Sequence, residues 1–245
     1  MFLTRLSVPR PVSGWPATLP AVRHLVEHGL DLTAPVTFLV GENGSGKSTI
    51  VEAIADACGV NSEGGKAGTL YASKGSVTPL GEVLDADFTV GGLRLTRGPR
   101  LKRRVFFFRA ETLINLARGV SGLPGYWQEH PDEQSHGEGF LTVLERMVNG
   151  PGIYLLDEPE AALSFQSCLR LVGLMDRVAR RGGQIVCATH SPILTSLPGA
   201  RILELGEDGI HPTEWERLQI VDHWRRFLAK PDFYLRYALD GDTGD

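Results

Sequence analysis

A glycine-rich turn between an apolar run and a helical pattern constrains the fold more than any other feature of this chain. Residues 36–40, VTFLV, form a short apolar run that fits a buried parallel strand. Residues 50–58 place apolar side chains at helical spacing. Between the two, residues 41–48, GENGSGKS, match GxxxxGK[ST] at every fixed position. A strand, a tight turn and a helix in this order indicate an α/β fold.

Such a turn is suited to holding the phosphates of a nucleotide. Its glycines let successive N–H groups point inward as a nest for anionic oxygens, and the positive end of the following helix adds to the attraction. Lys47 is expected to reach the β- and γ-phosphates, and the Ser48 hydroxyl to ligate Mg²⁺. A chance match is disfavoured because a strand precedes the turn and a helix follows it. The predicted nucleotide-binding residues here are Gly41, Glu42, Asn43, Gly44, Ser45, Gly46, Lys47, Ser48 and Thr49.

A second candidate site follows the apolar run of residues 152–156, GIYLL, which ends in two acids. Asp157, at the predicted strand end, is expected to hold Mg²⁺ through a water molecule. Glu158 is expected to point the other way, because side chains alternate along a strand, and to polarise the attacking water. The alternative is that both acids only cap the next helix, although an apolar run ahead of such acids is typical of a Mg²⁺-binding strand.

A third buried strand is predicted over residues 183–191, GQIVCATHS, and it ends near His190. A histidine at the carboxyl edge of a parallel sheet lies where ligands bind in open α/β folds. We expect His190 to contact the γ-phosphate and position water; the alternative is a hydrogen bond to a nearby loop. Lys47, Glu158 and His190 are therefore the predicted catalytic residues.

Composition excludes several other classes of protein. With 245 residues, 42% of them hydrophobic, the chain can form one large α/β domain. Cys58, Cys168 and Cys187 are far apart and form no CxxC pair, so buried thiols are expected rather than a zinc site or disulfides. No apolar run reaches the ~18 residues of a membrane span, and residues 1–16 lack the pattern of an export signal. We expect a soluble cytoplasmic protein.

A basic cluster raises the alternative of a nucleic-acid partner. It consists of Arg94, Arg97, Arg100, Lys102, Arg103 and Arg104. Such a cluster can bind phosphates of DNA or RNA, but it is more often the solvated edge of a hairpin. Because the formal net charge of the chain is -4, nucleic acid is kept only as an alternative.

Taken together, the motifs resemble those of the ABC-class ATPases over most of the chain. Residues 41–48 resemble Walker A, residues 153–159, IYLLDEP, resemble Walker B with its catalytic glutamate, and residues 188–191, ATHS, resemble the segment of the switch histidine. The resemblance implies a P-loop NTPase three-layer sandwich of the ABC-ATPase type, with an antiparallel β part and a small helical lobe. It also implies ATP hydrolysis, with ATP and Mg²⁺ bound.

The class carries a signature, LSGGQ or LSGGE, between these motifs. Residues 134–140, QSHGEGF, stand at this place, where Ser135, Gly137 and Glu138 align with the signature serine, second glycine and final acid or amide. In this class the serine and glycine N–H groups contact the γ-phosphate bound to the other subunit. The resemblance therefore implies an ATP-dependent homodimer in which these three residues belong to the partner's nucleotide site.

Other segments depart from the class pattern. The class has a glutamine loop after a strand in this region, whereas residues 105–113, VFFFRAETL, predict an aromatic strand followed by Arg109 and Glu111, with no glutamine. Glu111 is the candidate for the metal-facing role of that glutamine. Ser164 replaces the aspartate of the D-loop, and Trp15 lies upstream, where the class often keeps an aromatic residue that stacks on the base.

We expect one ATPase domain over residues 1–245, with a helical lobe over residues 112–150 that contains the signature. The other predicted elements are a strand over residues 2–8, a loop over 59–81, a hairpin over 83–98 that turns at Gly91-Gly92, and an amphipathic helix over 168–183. In the tail, helical spacing favours core packing over a partner-docking helix. The apolar residues with this spacing are Trp215, Leu218, Val221, Trp224, Phe227 and Leu228.

Three functions compete. The first is a stand-alone ATPase whose dimer closure does work on a macromolecular partner, with a DNA-associated repair or defence ATPase as a variant of it. The second is the ATP-binding subunit of a transporter, which the missing glutamine and the short helical lobe disfavour, and with it a transmembrane permease as partner. The third is a slow nucleotide-gated switch, against which Glu158 argues. The sequence does not decide between ATP and GTP.

Overall fold

The structure is a computed structural model that describes residues 1–12, 14–61, 64–66, 77–99, 103–109, 141–142, 144–145, 147–148 and 150–240. Most of the predicted helical lobe, including the signature residues Ser135, Gly137 and Glu138, lies outside the described residues, and so does Glu111. None of the helices in the described part of the chain combines the length and apolar character needed to cross a membrane.

A seven-stranded, mostly parallel sheet forms the centre, with the strand order β10-β9-β3-β8-β7-β6-β4. β3, β6, β7, β8 and β9 are parallel neighbours, and β4 and β10 pair antiparallel at the two edges. The strands are β3 (Val36–Gly41), β4 (Gly65–Lys66), β6 (Val105–Arg109), β7 (Ile153–Asp157), β8 (Gln184–Thr189), β9 (Arg201–Gly206) and β10 (Gly209–Thr213). The predicted strands around residues 36–40, 105–109, 152–157 and 183–189 are thus confirmed.

Helices cover both faces of this sheet because its strands are apolar on both sides. The helices of the described part of the chain are α1 (Pro20–His28), α2 (Lys47–Ala57), α3 (Val90–Arg97), α4 (Phe165–Arg180), α5 (Gln219–Ala229) and α6 (Pro231–Asp240), of which α1, α2 and α4 pack on the sheet. Along β3, Leu39 belongs to the core that contains α1 and α2, whereas Phe38 and Val40 belong to the core that contains α4. This alternation produces three layers, as predicted.

A second, three-stranded antiparallel sheet has the order β2-β1-β5. It consists of β1 (Leu3–Ser7), β2 (Leu30–Asp31) and β5 (Asp85–Phe88), and β1 pairs with both neighbours. Gln184 joins this sheet to β8, because its side-chain oxygen accepts from the N–H groups of Phe2 and Leu3 at 2.8 Å each. The predicted strand near the N-terminus and the antiparallel part of the fold are confirmed.

The predicted hairpin over residues 83–98 is wrong. Its first half is β5, which pairs with β1, but its second half is the helix α3. Thr89 caps this helix by accepting from Gly92 N at 3.2 Å. A Cβ at Gly92 would overlap the backbone of Phe2, so the glycine permits close helix packing instead of a turn. Arg94 and Arg97 therefore lie in the last turn of a helix.

Two further predictions need correction. The loop over residues 59–81 contains the short strand β4, which pairs with Phe106 and Phe107 of β6, although residues 67–76 lie outside the described part. In the tail, helices form as predicted, and Leu218 and Val221 are buried, but Trp224 and Leu228 are 47% and 72% exposed. Core packing therefore holds only for the first turns of the tail.

Candidate active site

The glycine-rich turn links the end of β3 to the start of α2 at the carboxyl edge of the sheet. Gly44 and Gly46 have φ values of 81° and 100°, which side chains with a Cβ rarely adopt. Gly46 is the residue before α2 and offers no side chain to cap the helix. The first N–H groups of α2, which have no partner within a helix, therefore remain available to an anion.

Lys47 lies at the first position of α2 and is 3% exposed. Its Nζ donates to the carbonyl oxygens of Gly41 at 2.9 Å and Glu42 at 3.0 Å, so the side chain curls back over the turn. Burial lowers the pKa of Lys47, and the carboxylates of Glu158 and Asp157 oppose this shift. The ammonium group is thus held at the turn among acids, where it can meet phosphate oxygens.

Ser48 and Asp157 are brought together from α2 and β7. The Ser48 hydroxyl donates to Asp157 Oδ1 at 2.8 Å, because β7 and β3 both flank β8 and end at the same edge of the sheet. Burial raises the pKa of Asp157, against the opposing hydrogen bond from Ser48 and the charge of Arg109. A hydroxyl and a carboxylate are the oxygen ligands that Mg²⁺ prefers, so this pair fits the predicted metal site.

Glu158 and His190 also meet at this edge. His190 Nε2 lies 3.2 Å from Glu158 Oε1, although the two atoms lack the alignment of a hydrogen bond. The side chains of His190 and Glu158 are 31% and 38% exposed, respectively. The Glu158 side chain is therefore open to solvent, whereas the His190 Nε2 atom that faces it is buried.

The backbone of Glu158 explains why this acid diverges from Asp157. Strand β7 ends at Asp157, and Glu158 has φ 47° and ψ 50°, a left-handed conformation that it alone adopts among the described non-glycine residues. The divergence predicted from strand alternation is therefore produced by a turn. Glu158 N donates to Ala188 O of the neighbouring strand at 2.9 Å, which anchors the turn. Strained backbone of this kind is concentrated at functional sites.

Sequence reasoning missed two ion pairs of Arg109, the last residue of β6. Arg109 Nη1 lies 2.7 Å from Glu52 Oε1, and Arg109 Nε lies 3.3 Å from Asp157 Oδ2. Glu52 follows Ser48 by four residues, so both face β7 from the same side of α2. That spacing was the available signal, but the sequence does not show that β6 and β7 are neighbours. A guanidinium therefore stands beside Asp157, in the region for which Glu111 was predicted.

A third missed residue is Glu160, which lies in a short 3-10 helix (Pro159–Ala162) after Glu158. Its Oε1 accepts from Thr189 Oγ1 and from His190 N, both at 2.6 Å. The pairing of β7 with β8 creates this contact across about thirty residues of sequence. No local pattern could have revealed it.

A cavity of about 170 Å³ opens over the glycine-rich turn. It is lined by Trp15, Leu19, Asn43, Gly44, Gly46, Lys47, Ser48, Thr49 and Glu158. The Trp15 side chain is 63% exposed. Six of the predicted nucleotide-binding residues, the general-base candidate Glu158 and the upstream aromatic residue Trp15 therefore share one opening.

Two family models match the parts of the chain that form this site. A family model described as "AAA domain, putative AbiEii toxin, Type IV TA system" matches residues 139–196, and one described as "AAA domain" matches residues 22–87. The second range contains the glycine-rich turn, and the first contains Asp157, Glu158 and His190.

Several ABC-type proteins are similar over longer stretches. The hemin import ATP-binding protein HmuV of Rhizobium meliloti is 30% identical over 204 residues, which cover 70% of this chain and 73% of that protein. The cell division ATP-binding protein FtsE of Mycobacterium tuberculosis is 28% identical over 69% of this chain and 78% of that protein. The macrolide export ATP-binding/permease protein MacB of Escherichia coli is 24% identical over 53% of this chain, which spans only 21% of that protein. A solved structure of the ATP-binding subunit of an ABC transporter covers 86% of this chain and 91% of that chain, with 16% identity and a TM-score of 0.44.

A parallel sheet with a GxxxxGKS turn at one strand end and an acidic pair two strands away defines a P-loop nucleoside triphosphatase. The similarity to HmuV extends over most of both chains and shows to which family of P-loop proteins this chain belongs. The chain belongs to the ABC-type ATP-binding proteins. It binds ATP and is an ATPase.

Proposed function

We propose that this chain hydrolyses Mg²⁺-bound ATP, and that ATP binding closes a homodimer that does work on a macromolecular partner. The observation that carries the hydrolytic part is the convergence of Lys47, Ser48, Asp157, Glu158 and His190 at one edge of the sheet. The dimer is supported by the resemblance of residues 134–140 to the class signature, since such a signature acts on the nucleotide of a second subunit.

The proposed mechanism assigns one role to each side chain. The N–H groups of the turn and Lys47 bind the phosphates and offset their negative charge. Ser48 and Asp157 hold Mg²⁺, which when bound would neutralise charge on the phosphate oxygens. Glu158 orients water for attack on the γ-phosphorus and accepts its proton, while His190 contacts the γ-phosphate. ADP leaves, and inorganic phosphate carries the oxygen of the attacking water.

The homodimer is tested with a variant that binds ATP but does not cleave it. We expect E158Q to shift from monomer to dimer in light scattering when Mg²⁺ and ATP are saturating. The matched control is the double variant K47A/E158Q, which should stay monomeric because it lacks the phosphate-binding ammonium. If E158Q binds ATP and remains monomeric, the dimer part of the proposal is wrong, whereas the hydrolytic part is judged separately by turnover.

Trp15 is proposed to stack on the nucleotide base, because it lines the cavity above the turn. We expect W15A to raise KM for ATP about 5-fold and to leave kcat unchanged, since one base–aromatic stack contributes on the order of 1 kcal/mol. The measurement is steady-state hydrolysis over a range of ATP concentrations. W224A serves as the control, because Trp224 is also exposed but lies on α5. An unchanged KM in W15A would exclude the stacking role.

A transporter subunit is the second candidate function, and the relatives favour it. HmuV is named as a hemin import protein and MacB as a macrolide export protein. Affinity purification from membranes solubilised in mild detergent distinguishes the two candidates. An integral membrane permease that co-purifies in stoichiometric amount would favour the transporter subunit, and its absence together with a bound soluble macromolecule would favour the first proposal.

A further inference from the structure

Glu160 connects the two residues to which hydrolysis is assigned. It lies two residues after Glu158, and its Oε1 accepts from the backbone N–H of His190 at 2.6 Å. The same oxygen accepts from the Thr189 hydroxyl at 2.6 Å. Through this one oxygen, the 3-10 helix that follows Glu158 is hydrogen-bonded to Thr189 at the end of β8 and to His190, the residue after it.

Further hydrogen bonds connect Thr189 to the turn that follows β8. The Thr189 oxygen, which donates its proton to Glu160, accepts from Ser191 N at 2.9 Å. Ser191 Oγ accepts in turn from Leu194 N at 3.3 Å. On the other side, Glu158 N donates to Ala188 O at 2.9 Å. The segments that contain Glu158 and His190 are therefore joined by one backbone hydrogen bond and by the hydrogen bonds of Glu160.

The second oxygen of Glu160 shows that this arrangement is costly. Oε2 is buried and has no hydrogen-bond partner among the described residues. An unpaired buried oxygen of this kind destabilises a fold. Burial raises the pKa of Glu160, and the hydrogen bond from Thr189 opposes the shift. An apolar side chain would fill this space without that cost, but it would leave His190 N and the Thr189 hydroxyl without their acceptor.

We propose that Glu160 is a positioning residue for ATP hydrolysis, which fixes the His190 backbone and so sets the imidazole against Glu158. The proposal rests on the function assigned above to His190. Because His190 Nε2 and Glu158 Oε1 lie only 3.2 Å apart, a small displacement of the strand end changes their contact. Displacements of about 1 Å in an active site can lower turnover about 100-fold.

The test compares E160A, E160Q, H190A and the double variant E160A/H190A by steady-state hydrolysis. We expect E160A to lower kcat about 10- to 100-fold and to change KM for ATP less than 3-fold. E160Q should recover most of kcat, because an amide oxygen can accept from both Thr189 and His190. In the H190A background, E160A should cause no further loss, since Glu160 acts through His190.

A second measurement does not depend on turnover. In the nucleotide-free protein, the amide proton of His190 should resonate far downfield in an NMR spectrum, because it is donated to a carboxylate at 2.6 Å. This shift should be lost in E160A. The matched control is D176A, which removes an exposed carboxylate on α4 that pairs with Arg180. D176A should change neither kcat nor the His190 signal.

The outcomes separate the failure of this proposal from the failure of the function behind it. Equal losses from E160A in the wild-type and H190A backgrounds would overturn the positioning role, because Glu160 would then act independently of His190. A normal kcat in H190A would overturn both the positioning role and the assignment of His190. If E160A does not fold, E160D replaces it, because its shorter side chain cannot keep both hydrogen bonds in place.

Discussion

Replacing Glu158 with glutamine is expected to lower kcat for ATP hydrolysis by roughly 10²- to 10⁴-fold, the usual contribution of a general base. Glutamine keeps the size and polarity of the side chain but cannot accept the proton of the attacking water. Binding should persist, because the phosphates are held by the turn and Lys47, so the affinity for ATP should change little. Single-turnover hydrolysis and equilibrium binding of a fluorescent ATP analogue measure the two quantities separately.

The control for this variant is E216Q, which makes the same chemical change in a short 3-10 helix (Trp215–Arg217) that does not line the cavity. It should hydrolyse ATP at the wild-type rate. If E158Q also turns over ATP at that rate, Glu158 is not the general base and another group must activate the water. A loss of nucleotide binding in E158Q would instead indicate that Glu158 mainly shapes the cavity that it lines.

Replacing Arg109 with leucine is expected to lower the stability of the nucleotide-free protein more than the other substitutions named above. Arg109 stands between Glu52 and Asp157, and its side chain is 29% exposed, against 18% and 5% for the two acids. Its removal takes away the cation that contacts both carboxylates and leaves Asp157 only the weaker influence of Lys47. We expect the free energy of unfolding at pH 7 to fall by about 2–4 kcal/mol, which corresponds to a drop of roughly 5–15 °C in Tm.

The loss in R109L should shrink as the pH falls. Burial already raises the pKa of Glu52 and of Asp157, and Arg109 opposes both shifts. Without Arg109 both pKa values in the folded state rise further, whereas the values in the unfolded state stay near 4. Above the folded-state pKa values the full loss applies, and it fades as pH falls from 7 toward 4 and the acids become neutral.

Thermal unfolding of wild type and R109L between pH 7 and pH 5 measures this effect. The control is R180L, which removes an exposed arginine paired with Asp176 on the same helix and should change stability by less than about 0.5 kcal/mol. R109K should fall between wild type and R109L, because a lysine keeps the charge but not the forked geometry. A loss in R109L that does not vary with pH would contradict the electrostatic explanation.

Local patterns predicted the elements that form the candidate active site. The apolar runs before Gly41, Asp157 and His190 are buried strands, and the phosphate-binding turn lies where its spacing required. These predictions succeeded because a buried parallel strand leaves a continuous apolar run. A glycine pattern with a lysine ahead of a helix is equally specific.

Predictions that depended on neighbours in space failed or could not be made. Gly91-Gly92 was assigned to a hairpin turn, but these glycines lie in the first turn of α3, where the lack of a Cβ at Gly92 lets the helix approach the backbone of Phe2, just before β1. The contact of Glu160 with Thr189, and that of Arg109 with Glu52, joins segments from separate strands and helices. Only the strand order brings them together, and a single sequence does not contain it.

Because the backbone at Glu158 is left-handed, folding stability and catalytic activity favour different residues at this position. Holding a residue with a Cβ in that conformation costs about 1 kcal/mol, which glycine does not lose and asparagine loses least. A stability screen without selection for turnover should therefore enrich E158G and E158N. With the general-base role proposed for Glu158, the most stable variants at this position would be inactive, and the glutamate would persist only under selection for hydrolysis.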